Sequence, residues 1–209
     1  MNVVTRRRKP SERYTPFWVD IIMRTGLIRE LICIESWSIY MIVWLFPVLF
    51  LIHDFEEILT VKGFMSRNKE QIVSLLSPKI GGFVQRQFDL TTVQFSVSVA
   101  FVFIFVTSST YLATHNNFAE GALRYFFIIV TVFFIHVFTH VGQALILRAY
   151  APGVITSVLI ILPYTSYVLF RLFREHIIDW NFALVNIPFI LLALPIILGT
   201  HSIARRLVK

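Results

Sequence analysis

The sequence predicts an all-α fold: a polytopic membrane bundle of about five transmembrane helices, preceded by an N-terminal amphipathic helix. Three observations predict it. The 209-residue chain is 56% hydrophobic and 15% aromatic, with a mean hydropathy of +0.73, too apolar for an ordinary soluble domain. Its apolar runs reach about 20 residues, the length of helix that crosses a hydrocarbon layer about 30 Å thick. Polar or Pro/Gly-containing breaks separate those runs, but no Pro/Gly/Ser-rich linker divides the apolar region. The expected organisation is a basic tail and interfacial helix over residues 1–35, then a single transmembrane domain over 36–209.

Arg6, Arg7, Arg8 and Lys9 precede Pro10 in a basic tail. From Tyr14 to Glu35, Phe17, Trp18, Ile21, Ile22, Leu27, Ile28, Leu31 and Ile32 alternate with Asp20, Arg24, Arg29 and Glu30, the pattern of a helix lying in the interface. The first span is expected from about Ser36 to Leu59, with Pro47 inside it. Residues 60–89, with Lys62, Arg67, Lys69, Lys79 and Arg86, read as a polar connector of short pieces broken at Pro78 and Gly81-Gly82. A second span follows over about 90–113 and a third over about 122–147. Arg148 to Gly153 makes a tight break, after which a fourth span covers about 154–173 and a fifth about 180–200.

Charge and cysteine content narrow the chemistry. The net charge is +7. In a chain this apolar, basic residues mark membrane flanks and contact anionic headgroups, so the expected partner is the bilayer and not nucleic acid. The expected setting is a bacterial cytoplasmic membrane. Cys33 is the only cysteine, which excludes an internal disulfide and a thiolate-rich zinc site. Any metal must be held by His, carboxylate or amide groups. The first thirty residues lack a compact apolar core of the signal-peptide kind, so the spans themselves are expected to direct insertion.

The chemistry gathers at His53-Asp54-Phe55-Glu56-Glu57, the end of the first apolar run. At helical spacing His53, Glu56 and Glu57 fall at i, i+3 and i+4, on one face within reach of a common ion. Asp54 points elsewhere and is expected to be a solvated or interfacial carboxylate. In the third span His136, His140 and Gln143 fall at i, i+4 and i+7. If five helices cross in alternation, one membrane face receives the end of the first, the start of the second, the end of the third, the start of the fourth and the end of the fifth. That face then holds His53, Glu56, Glu57, Gln94, His140, Gln143, Arg148, Tyr150, Thr156 and His201, with His136 about a turn deeper. Ionisable groups inside spans normally face a bundle interior or wet cavity, and His and Glu on facing helices are how bundles build metal centres.

These residues resemble the HXXEE-domain family of integral membrane proteins. His53-Asp-Phe-Glu56-Glu57 fits its motif, His136 and His140 its later histidine-bearing span, and Tyr150-Ala-Pro152-Gly153-Val-Ile-Thr156 its Tyr-x-Pro-Gly-x-x-Thr pattern, over roughly residues 44–167. The resemblance implies a membrane-embedded, metal-dependent enzyme.

The expected reaction is metal-dependent hydrolysis of a lipid, a lipidated peptide or a hydrophobic peptide. A divalent cation, zinc in the first instance and iron in the alternative, is held by His53, Glu57, His136 and His140. Glu56 acts as general base, with the two glutamates able to exchange roles. Tyr150 or Arg148 stabilises an oxyanion, and Gln94, Gln143 and Thr156 contact substrate. An iron centre for lipid oxidation, and a non-enzymatic ligand- or metal-binding protein or transporter, use the same residues.

Overall fold

The structure, a computed structural model, describes residues 37–75 and 90–208. The expected interfacial helix, Cys33 and the later part of the polar connector lie outside the described residues. The chain divides into two compact units, Met1–Ser38 and Ile39–Lys209, and the second carries all the helices described here.

That unit is helical throughout its described elements: α1 (Ile39–Ser74), α2 (Thr92–His115), α3 (Glu120–Leu147), α4 (Val154–Arg174), α5 (Trp180–Ile190) and α6 (Ala193–Leu207). Counting α5 and α6 as one interrupted crossing, five segments are long and apolar enough to span a membrane, as expected for an integral membrane protein. Residues inside α4 wind as a wider π turn over Ser157–Ile161, just before Pro163. A proline there has no N–H to offer the carbonyl of Leu159, and a widened turn accommodates the missing bond.

Local chemistry sets several helix ends. Thr91 caps α2 in a capping box, its side chain accepting from the Gln94 N–H while the Gln94 side chain accepts from the Thr91 N–H. Asp179 caps α5 by accepting from the Phe182 N–H at 2.7 Å. Arg148 ends α3 in the left-handed region at φ 48°, with its N–H bonded to the Ala144 carbonyl. The first turn of α4 has no side-chain cap of its own.

Two differences from the expected boundaries matter. The first helix does not stop at Leu59 but continues to Ser74, so residues 60–74 form helix and not connector. Past Leu59 it packs Phe64 with Leu147 and Ala151 in a small core of their own. The fifth crossing is interrupted at Leu191-Leu192, between Pro188 and Pro195, and the second half runs on to Leu207.

Helix α1 is the central element. It packs most extensively against α2 and also meets α3 and α4. Its apolar window is 44% buried, against 11% for the fifth crossing. The main core runs along it: the Phe46 ring meets those of Phe126 and Phe133 edge-on and stacks on Tyr164. This surrounded position corrects the expectation for Asp54, which is buried at 7% exposure, not solvated. A residue one step off the cluster's face of a surrounded helix still meets protein.

Candidate metal centre

His53 and Glu57 stand one turn apart on α1, and His136 and His140 one turn apart on α3. Packing of Phe46 and Phe50 against Phe133 places the two pairs face to face, with Phe133 also against the His53 ring. One donor atom from each of the four residues lies within 4.8 Å of the others. Oε1 of Glu57 is 3.1 Å from His140 Nε2, 3.7 Å from His136 Nε2 and 3.8 Å from His53 Nε2. The Nε2 atoms of His136 and His140 are 2.8 Å apart.

These separations bracket the edge of a small coordination sphere. Bonds of about 2.0–2.1 Å in a tetrahedron give donor–donor distances of about 3.3 Å. Burial grades across the group: the side chains of His53 and His140 are 1% and 5% exposed, Glu57 is 13% and His136 is 36%. The centre therefore opens on the His136 flank.

Threonine hydroxyls orient two of the imidazoles. Thr156 Oγ1 lies 2.9 Å from His53 Nδ1, and its own proton goes to the Gly153 carbonyl. It thus accepts from His53 Nδ1–H, which leaves a lone pair on Nε2. Thr139 does the same for His136: its hydroxyl donates to the His136 carbonyl and faces His136 Nδ1 at 3.3 Å. Such outer hydrogen bonds fix the tautomer that a metal needs. The Nε2 of His53 is buried, aimed into the group and without a hydrogen-bond partner. A cation would satisfy that nitrogen, the close pair of His136 and His140, and the Glu57 carboxylate together, so the residues present fit a divalent metal ion.

The connector between α3 and α4 closes the group from one side. Ala151, Pro152 and Gly153 are all buried. Gly153 adopts φ +74°, and a Cβ there would meet His53 Cε1 at 2.7 Å, Glu57 Cγ at 2.9 Å and His140 Cε1 at 3.2 Å. Only glycine brings a left-handed backbone this close to the ligand set. The sequence reading assigned Gly153 to a turn; its contact with the site depends on three residues from two other helices.

Glu56 faces that connector, away from the imidazoles' shared centre. Its carboxylate accepts from the Tyr150 hydroxyl, from the Ile155 N–H at 3.2 Å and from the Thr156 N–H at 2.8 Å. Partial burial, and then the bond to Glu56, hold the Tyr150 phenol above its ordinary value, so it stays a protonated donor.

Gln94 spends its oxygen on Thr91 and its amide on the Val208 carbonyl at 2.8 Å, because it occupies the third position of the α2 capping box. Arg148 is exposed at the end of α3, and Gln143 is half-buried beyond His140. His201 rests its ring against Phe95.

A family model described as "Protein of unknown function with HXXEE motif" matches residues 44–168, more than half of the chain. The matched segment contains all four candidate ligands together with Glu56, Tyr150, Gly153 and Thr156. Neither the curated proteins nor the solved structures contain a match.

Proposed function

The chain belongs to the HXXEE family, and from that premise we propose that it is a membrane-embedded, metal-dependent hydrolase acting on a lipid, lipidated or hydrophobic peptide substrate. The observation that carries the reading is the convergence of His53, Glu57, His136 and His140 on one point with an unsatisfied His53 Nε2. Nitrogen-rich donors with one carboxylate suit zinc, with iron as the alternative. A divalent cation bound there would supply a Lewis acid and bring the pKa of water to about 7.

This chain's residues do the rest. The three imidazoles would hold the cation, each with an Nε2 turned to Glu57. Glu57 would complete the donor set through Oε1, and its other carboxylate oxygen would be the base that takes a proton from water. The Tyr150 hydroxyl spends its one proton on Glu56, so it braces the connector and not an oxyanion. The helices that carry the centre expose apolar side chains, Ile135 and Phe138 on α3 and Ile155 on α4 at 44%, 54% and 54%, which favours a substrate that arrives with its apolar part in lipid.

The test is the metal content of the detergent-purified protein by elemental mass spectrometry, alongside His53→Ala, Glu57→Ala and His140→Ala at equal folded yield. Near-stoichiometric zinc in the wild type, lost from all three variants, is the expected result, and hydrolysis of lipid and peptide bonds is then screened. Iron would redirect the chemistry to oxidation. No bound transition metal, even after incubation with candidate ions, would end the metal reading.

A further inference from the structure

The hydrogen bonds of Glu56 lead away from proton transfer and toward the architecture of the centre. We infer that Glu56 is a positioning residue: it clamps the start of α4 and, through Thr156, holds His53 in the tautomer that binds metal. The inference rests on the metal centre proposed above.

Three observations carry it. Both carboxylate oxygens of Glu56 are engaged, one by Tyr150 and the Ile155 N–H, the other by the Thr156 N–H. A general base needs an oxygen free to meet the reacting water, and both of Glu56's are taken, whereas Glu57 is the carboxylate that meets the imidazoles. Second, α4 begins at Gly153 with no side-chain cap from its own sequence. The orphan N–H groups of its first turn are met by a carboxylate from another helix, an anion at the positive end of the helix dipole. Third, Thr156 joins the two networks. Its N–H is held by Glu56 and its hydroxyl accepts from His53 Nδ1.

The chain of contacts therefore runs Glu56, Thr156, His53, cation, with Gly153 pinned between them by its neighbours. Adjacent glutamates in the motif divide the work. Glu57 turns to the imidazoles, and Glu56, about 100° further round α1, turns to the connector.

The test reads zinc affinity by chelator competition, and the visible spectrum of the cobalt(II)-substituted protein, in the full-length detergent-purified chain. Glu56→Gln weakens zinc binding about 10–100-fold, the range typical of lost outer-sphere partners, and alters the cobalt bands. Thr156→Val does the same, and Thr156→Ser, which keeps the hydroxyl, restores wild-type affinity. The double variant Glu56→Gln/Thr156→Val binds no more weakly than the worse single one, because both act on one path.

Wild-type affinity and spectrum in Glu56→Gln would overturn the inference and return Glu56 to the role of base, with the metal centre intact. Equal impairment in Thr156→Val and Thr156→Ser would overturn it as well, and that pair decides the matter if Glu56→Gln does not fold. A wild-type protein that takes up neither zinc nor cobalt would remove the centre itself, and this inference with it.

Discussion

Gly153 is where backbone conformation and ligand geometry coincide. An L side chain in its left-handed conformation costs roughly 1–2 kcal/mol, and crowding a packed site typically costs about 1–3 kcal/mol more. Gly153→Ala is expected to lower stability by about 2–5 kcal/mol and to lose bound metal, read by thermal unfolding with metal analysis; a stable variant with full metal content would refute this. The four candidate ligands were legible in the sequence because each pair repeats at one helical turn, a property of local geometry alone. Asp54 and Gly153 were not, since their surroundings come from helices far away in the chain. Glu56 shows the same division, its place beside Glu57 readable and its partners on α4 supplied by tertiary packing.

Helix ends follow a different logic from helix interiors. The reading that stopped α1 near Leu59 followed hydropathy, which marks where a chain leaves hydrocarbon and not where its hydrogen bonds end. Lys62, Arg67, Lys69 and Glu70 are sound helix formers, so the same i to i−4 bonding continues past them to Ser74. The start of α2, by contrast, was written locally in Thr91 and Gln94. Thr91→Ala is expected to cost about 1 kcal/mol while leaving metal content unchanged, measured by thermal unfolding beside metal analysis. Loss of metal in that variant would mean that the cap reaches the centre.

Across the whole bundle, the apolar residues are turned outward as well as inward, as a lipid surround allows. Leu59, Leu145, Leu159, Trp180 and Leu191 are all at least 70% exposed, while His53, Asp54, Ser98, His140 and Asn186 are buried. Alternation of five crossings puts the turn at Asn116–Ala119 opposite the connector that begins at Arg148. In a Cys33→Ser background, Asn117→Cys and Arg148→Cys should therefore label with a membrane-impermeant maleimide from opposite sides. Labelling of both from one side would break the alternation.

The long first helix has a mechanical consequence. At 1.5 Å per residue its 36 residues extend about 54 Å, well beyond a hydrocarbon layer of about 30 Å, and Glu57 stands about 27 Å along it. On one side of the centre α1 is fastened to α3 through Phe46 and Phe133; on the other it is fastened through Phe64 to Leu147. The four donors sit between two supports of one beam. Such a cage is expected to resist dilation, so an ion with bonds near 2 Å should hold its place against excess calcium, whose six to eight oxygen ligands stand at about 2.3–2.6 Å, and displacement by calcium in a competition measurement would refute this.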